Sequence, residues 1–166
     1  MLKINKLNDN FIEERAAKAK ELFESGYNCC QSVVLAFEDL TDIDTKTLAS
    51  LTSGFGGGFG RLREVCGTVS GMTFLSGIIS PADNPLLMDA RKANYSLVQK
   101  FAAEFKEING SIVCAELLGI RPKSNLPESP MPSERTAEYY KKRPCAELVQ
   151  IAARIVAKEI SENRGE

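Results

Sequence analysis

The chain has 166 residues, of which 43% are hydrophobic, a size and composition that suit one domain with a single buried core. Its 21 basic and 22 acidic residues leave a net charge of −1, which lacks the basic excess of a nucleic-acid-binding protein and predicts no nucleic-acid partner. The sequence contains no histidine, which excludes Ser-His-Asp and Cys-His catalysis, histidine-ligated zinc, and haem attached through a CxxCH motif.

The N-terminal segment, residues 1–11, lacks the apolar run and the cleavage site of a secretory signal. We therefore expect a cytoplasmic protein, in which stable disulfides are rare and cysteines serve as core residues, metal ligands or redox pairs. The longest uncharged run, residues 65–82, is half Gly, Ser, Thr or Pro. It is too polar to span a membrane and predicts a buried helix, with no membrane insertion.

The spacing of apolar residues and the capping residues predict an all-α fold, a single-domain multi-helix bundle over residues 1–166. The predicted helices are 9–25, 28–40, 44–51, 61–79 or 64–79, 86–108, 111–118, 134–142 and 144–163. The fourth contains Gly67 and Gly71 one turn apart, so we expect it to be a buried central helix that packs closely against a neighbour. Prolines at 122, 127, 130 and 132 predict an extended loop over residues 121–133.

A glycine-rich link, residues 54–60, precedes the predicted buried helix. It does not match G-x-G-x-x-G, no G-K-S/T follows it, and no strand precedes it, so it does not predict nucleotide binding. We expect its glycines to allow a tight turn and a close approach of the backbone to a cofactor or to the Cys66 helix. Glu64 is expected to pair with Arg61 or Arg63 rather than to act as an acid or base.

The five cysteines include no C-x-x-C knuckle, so the usual zinc-finger and ferredoxin signatures are absent. Four of them fall near predicted helix starts: Cys29, Cys66, Cys114 and Cys145. Free backbone N–H groups and the helix dipole favour thiolate there, which raises nucleophilicity and metal affinity. If the helix starts converge, the four thiols form one redox or metal site, with nearby arginines and lysines offsetting its negative charge. The alternative is that each cysteine is a small core residue, which we favour for Cys30 because it points about 100° away from Cys29.

Several short motifs of the chain match one family pattern. They are Gly26-Tyr27-Asn28-Cys29, Gly56-Gly57-Gly58-Phe59-Gly60-Arg61, Glu64-Val65-Cys66-Gly67, Asn109-Gly110-Ser111-Ile112-Val113-Cys114, Glu116-Leu117-Leu118-Gly119, and Cys145 before Leu148-Val149. Over residues 15–155 they resemble the C_GCAxxG_C_C family of redox-active proteins. The four family cysteines fall on Cys29, Cys66, Cys114 and Cys145. Thr68 and Cys30 stand where the family pattern has alanine. Neither departure replaces one of those four cysteines, but Thr68 is larger than alanine at a close helix contact, and Cys30 leaves open a locally altered redox partner.

The resemblance implies a redox-active protein and leaves its substrate open. Related domains are similar to the iron–sulfur part of split-Soret cytochromes, which implies an iron–sulfur cluster held by Cys29, Cys66, Cys114 and Cys145. On this hypothesis the protein is an oxidoreductase, electron-transfer protein or redox sensor that works with a redox partner protein. The alternatives for the site are zinc, or no metal and a pair of cysteines that cycles between dithiol and disulfide. A third hypothesis is a non-catalytic helical interaction domain with buried structural cysteines, and amphipathic helices would allow a homodimer.

Overall fold

The computed structural model describes residues 10–120 and 128–163, and over these ranges the fold is all-α, without a strand or sheet, as predicted. The helices are α1 (Phe11–Glu24), α2 (Cys29–Leu35), α3 (Thr45–Thr52), α4 (Gly56–Phe59), α5 (Gly67–Ile79), α6 (Met88–Asn109), α7 (Cys114–Leu117), α8 (Ala137–Lys142) and α9 (Cys145–Glu162). Short 3-10 turns lie at Glu38–Leu40 and Ser53–Phe55. Across the two described ranges, no helix has both the length and the apolar character that a bilayer crossing needs.

The core lies between the long helices. α1 packs most extensively against α9, α2 packs against α5, and α5 also contacts α6 and α9. Small buried residues let α1 and α9 approach closely; they are Ala16, Ala19, Ala152, Ala153 and Ala157. The largest side chains that are fully buried are Phe23, Phe37, Phe101 and Phe105. On α6 the apolar side chains of Leu97, Phe101 and Phe105 are buried, whereas Ile108 in the last turn is 56% exposed.

The start of α2 is fixed by a capping box, as the sequence predicts for Asn28. The Asn28 side chain accepts from Gln31 N at 3.0 Å, and the Gln31 side chain accepts from Asn28 N at 3.0 Å. The helix ends at Leu35, earlier than predicted. The carbonyl of Ala36 accepts from the Arg15 side chain at 2.7 Å, and the chain continues into a 3-10 turn in which Leu40 N donates to Phe37 O.

Two predicted helices start later than expected because their first residues pair with each other, and the helix predicted from residue 134 starts only at Ala137. Val65 and Val113 form an isolated antiparallel bridge. Backbone N–H and C=O groups of residues 63–66 and 112–115 therefore form hydrogen bonds between the two segments instead of helical hydrogen bonds. As a result α5 begins at Gly67 rather than at residue 61 or 64, and the predicted helix 111–118 is reduced to α7.

Gly67 and Gly71 lie on the face of α5 that contacts α2. A Cβ atom at Gly71 would lie 2.9 Å from Val33 Cβ, and one at Gly67 would lie 3.1 Å from Cys29 Cβ. The absence of these two atoms lets the backbone of α5 lie directly against α2. The predicted helix start at residue 9 and residues 121–127 of the proline-rich loop fall outside the described residues, and residues 128–133 contain no helix.

Candidate functional site

Each of the four cysteines predicted as site residues lies at the start of a helix. Cys29, Cys114 and Cys145 are the first residues of α2, α7 and α9, and Cys66 is the N-cap of α5. This confirms their predicted position at helix starts. All five cysteines of the chain are free thiols. Cys29 is half-buried, and the other three site candidates are at most 7% exposed.

The Val65–Val113 bridge brings Cys66 and Cys114 together from distant parts of the chain. Cys66 N donates to Ile112 O at 2.8 Å, and Cys114 N donates to Glu64 O at 2.6 Å. These bonds fix both cysteines at the ends of one short antiparallel pairing. The starts of α5 and α7 therefore lie side by side.

Cys29 and Cys145 form the other half of the site, where each of the two thiols shifts the pKa of the other. Each of the four sulfurs is also close enough to the other three for their charges to interact. The fold thus gathers Cys29, Cys66, Cys114 and Cys145 into one group, which we call the four-thiol site. Their assignment as cofactor ligands stays a prediction.

The helix starts do not lower the pKa of most of these thiols, which corrects the expectation from sequence. The hydrogen bond of Cys29 with Cys145 raises the pKa of Cys29 well above its ordinary value, and burial and repulsion by the other thiols act in the same direction. Burial raises the pKa of Cys66 to about 11 and raises that of Cys114. Burial is the largest cause for Cys66 and Cys114, and for Cys29 it adds to the hydrogen bond with Cys145.

Cys145 is the exception, with a pKa lowered to about 7. The main cause is the hydrogen bond from Cys29, which stabilises the Cys145 thiolate. The positive charges of Arg143, Arg135 and Arg63 act in the same direction and oppose the effect of burial. Because thiolate is the nucleophilic and ligating form, Cys145 is the thiol of this group that is best prepared for chemistry at neutral pH.

Arg63 is buried beside Cys114 and is held by an acidic residue that the sequence analysis missed. Its Nε and Nη2 atoms donate to the two carboxylate oxygens of Glu128 at 3.0 and 2.7 Å, and its Nη1 lies 3.9 Å from Cys114 Sγ. Arg61 also binds Glu128, at 3.0 Å. The predicted pairing of these arginines with Glu64 is therefore wrong, because both form ion pairs with Glu128. Glu128 is separated from Arg63 by 65 residues, and no local pattern in the sequence connects the two.

The glycine-rich link wraps around Cys114 in an unusual backbone conformation. Gly57, Gly58, Phe59, Gly60 and Arg61 all have φ between 58° and 72°. A Cβ atom at Gly58 would lie 2.7 Å from Cys114 Cβ, so only glycine fits there. The glycines thus allow a close backbone approach to Cys114, and the link also lies against the Cys66 helix, where the Phe55 carbonyl would be 3.0 Å from a Cβ atom at Gly67.

Arg135 connects the segment before α8 to the end of α1, close to the four-thiol site. It donates to the carbonyls of Phe23 and Tyr27 at 3.2 Å each, and its guanidinium lies over the Phe23 and Tyr139 rings. Tyr139 and Tyr140 are half-buried on the edge of α8. This packing places Arg135 where its charge acts on Cys145.

Cys30 belongs to the hydrophobic core, as predicted. Its side chain is 0% exposed, and burial raises its pKa to about 12. It follows Cys29 directly in α2 and is close enough to Cys66 for their charges to interact, but it packs in the core. A neutral, buried thiol of this kind packs as a small apolar residue.

The arrangement of the four thiols restricts what they can hold. Within the described residues, no three Cys, Asp or Glu side chains surround a common point as a single bound metal ion requires. A mononuclear zinc site, with Zn–S distances of about 2.3 Å, would thus need the side chains to rotate. Four cysteine thiolates are also the ligand set of iron–sulfur clusters.

A helical protein with four gathered thiols, one of low pKa, and arginines beside them has the features of the cysteine-based redox proteins. The model of the family described as "Putative redox-active protein (C_GCAxxG_C_C)" matches residues 27–159. The match covers most of the chain and all four thiols, and the protein belongs to this family, as its motifs predicted. Neither the comparison with curated proteins nor the comparison with solved structures gave a significant match.

Proposed function

We propose that the protein transfers or senses electrons through the four-thiol site, and that Cys29, Cys66, Cys114 and Cys145 hold an iron–sulfur cluster. The observation that supports this most directly is that four cysteines from distant segments meet at four helix starts, whereas the fifth packs in the core. Four cysteine thiolates are the ligand set of [2Fe–2S] and [4Fe–4S] clusters. A bound cluster would supply one-electron chemistry, and the electrons would be exchanged with a redox partner protein.

The residues around the thiols suit this role. Four thiolates in a buried place repel each other, so they need compensating positive charge. Arg63 supplies it beside Cys114, and Arg135 and Arg143 supply it near Cys145. The low exposure of the thiols keeps water away and limits contact with oxidants. Of the four cysteines, half-buried Cys29 lies nearest to solvent. Electrons would therefore enter or leave the site at this residue.

Anaerobic purification, followed by a visible spectrum and by iron, sulfide and zinc analysis, tests this proposal. We expect iron and sulfide in the wild type, with absorption that bleaches on reduction. Serine variants of Cys29, Cys66, Cys114 and Cys145 should lose most of the iron and sulfide. The matched control is Cys30→Ala, which removes a neighbouring cysteine from the core and should keep the full iron content. A colourless protein without iron, even after anaerobic reconstitution, would refute the cluster, and tightly bound zinc alone would indicate a structural site.

A second function is favoured by the hydrogen bond between Cys29 and Cys145 and by the low pKa of Cys145. In a metal-free protein these two thiols would form a disulfide, giving two electrons and two protons to a disulfide substrate that leaves as two thiols. Mass spectrometry of the iron-free, oxidised protein distinguishes this function, because it requires a Cys29–Cys145 link. Slow and uniform alkylation of all the cysteines at pH 7 would instead support an inert interaction domain.

A further inference from the structure

Arg63 lies at a position where the backbone is held in a strained form. Its φ is 63°, and Arg61 has a φ of 72°, values that non-glycine residues rarely adopt. Arg63 N donates to Gly57 O at 3.2 Å, and Arg63 O accepts from Ala115 N at 3.1 Å. Such strain persists only where the surrounding structure fixes it, and it is concentrated at functional sites.

The strained backbone directs the Arg63 side chain into the protein. Arg63 is 9% exposed. Its guanidinium contacts the carboxylate of Glu128 on one side and the sulfur of Cys114 on the other. The fork-shaped contact with both oxygens of Glu128 fixes the plane of the guanidinium. The remaining nitrogen, Nη1, therefore points toward Cys114 Sγ.

The charges of this group do not cancel. Two arginines, Arg61 and Arg63, share the single carboxylate of Glu128, which leaves one positive charge in excess next to the four-thiol site. Arg63 is nearest to the sulfur, and the Glu128 carboxylate is on the far side of its guanidinium and is one-third exposed. A charge that is nearer and less solvated acts more strongly.

We propose that Arg63 is a positioning residue that raises the reduction potential of the four-thiol site, and that Glu128 orients Arg63 and partly opposes its charge. The inference rests on the proposed redox function. Reduction of a cluster held by these thiols adds an electron, and therefore negative charge, to the site. A fixed positive charge stabilises this reduced form, so Arg63 raises the midpoint potential.

Redox titration of the purified protein, followed by visible absorption or by thiol labelling, tests the inference with variants of opposite charge. Arg63→Gln should lower the midpoint potential, and Glu128→Gln should raise it by a smaller amount. Arg63→Lys keeps the charge but not the fork-shaped contact, and should lie between Arg63→Gln and the wild type. A loosened structure would not produce shifts of opposite sign, so partial unfolding of one variant does not imitate the result.

The exposed Arg154–Glu13 pair offers matched controls. Arg154 donates to both carboxylate oxygens of Glu13 at 2.9 Å, and it is nine positions after Cys145 in α9, about 13 Å along the helix axis. Arg154→Gln and Glu13→Gln make the same charge changes as Arg63→Gln and Glu128→Gln, and they should leave the midpoint potential unchanged. Shifts no larger than those of the controls, or of equal sign for Arg63→Gln and Glu128→Gln, would overturn the inference. A wild-type protein without any redox couple would refute the proposed function instead.

Discussion

Arg15 joins α1 to the turn that follows α2. Its guanidinium donates to Ala36 O at 2.7 Å, binds both carboxylate oxygens of Asp39, and lies 4.8 Å from the centre of the Phe11 ring. The hydrogen bonds from Arg15 are the main reason that the pKa of Asp39 is lowered. One side chain thus satisfies the carbonyl at the end of α2 and makes the acidic turn sensitive to pH.

The lowered pKa of Asp39 predicts a loss of stability in acid. A carboxyl that is more acidic in the folded protein than in the unfolded chain stabilises the fold at pH values above its unfolded pKa, about 3.9. This stabilisation disappears as the pH falls through the lowered folded value. We expect the Tm of the wild type to fall more steeply below about pH 4 than that of Asp39→Asn, as measured by circular dichroism. Parallel curves for the two proteins would contradict the prediction.

The thiols of the four-thiol site illustrate how strongly local surroundings separate chemically identical groups. Cys66 and Cys145 both lie at helix starts and are similarly buried, yet the pKa is about 11 for Cys66 and about 7 for Cys145. The difference comes from the hydrogen bond that Cys29 donates and from the arginines near Cys145. Position in a helix alone does not decide the reactivity of a cysteine here.

At the scale of helices, the contact between α2 and α5 positions two of the four thiols. Cys29 begins α2, Cys66 caps α5, and Gly67 and Gly71 let the two helices lie in close contact. At Gly71 a Cβ atom would meet Val33 Cβ at 2.9 Å and the Cys30 carbonyl at 3.2 Å. The spacing of α2 and α5 therefore depends on the missing side chains of these glycines.

Two glycine variants in the same helix should change stability in opposite directions. Gly71→Ala should lower the free energy of unfolding by roughly 1–2 kcal/mol, because overpacking outweighs the gain in helix propensity. Gly77→Ala adds a Cβ atom with nothing within 4 Å and should raise the free energy of unfolding by up to about 1 kcal/mol. Urea denaturation measures both values. Equal effects of the two substitutions would show that the contact between α2 and α5 is not tight at Gly71.

At the scale of the whole molecule, one apolar core connects the long helices, whereas the ion pairs lie at its edge. Phe101 of α6 is 1% exposed and belongs to the same buried cluster as residues of α1, α2, α5 and α9. The Arg154–Glu13 pair connects α9 to α1 with side chains that are 41% and 66% exposed. Exposed pairs of this kind contribute little to stability, because water and salt screen them.

This distribution predicts a clear difference between a core variant and an ion-pair variant. Phe101→Ala should lower the free energy of unfolding by about 3–5 kcal/mol, because it removes apolar contacts and leaves a cavity. Glu13→Gln should leave the urea midpoint close to that of the wild type. Denaturation followed by circular dichroism compares the two directly. A large loss of stability in Glu13→Gln would mean that the α1–α9 contact depends on charge rather than on its buried alanines.

Much of the fold follows from local sequence patterns. The polar cap at Asn28 and the proline at 144 mark the starts of α2 and α9, and the stripe of Leu97, Phe101 and Phe105 marks the buried side of α6. Each of these signals acts within a few residues, through capping bonds or helical periodicity. The same local signals predict the placement of four cysteines at helix starts and of Cys30 in the core.

The sequence by itself therefore determined the all-α fold, the family, and which cysteines lie at helix starts. Only the tertiary structure decided that Val65 pairs with Val113, that Glu128 rather than Glu64 holds Arg63, and that Cys145 has the low pKa. The physical reason is distance along the chain. Helix starts arise from neighbouring residues, whereas backbone pairing, buried ion pairs and thiol acidity depend on groups that come together only when the core packs.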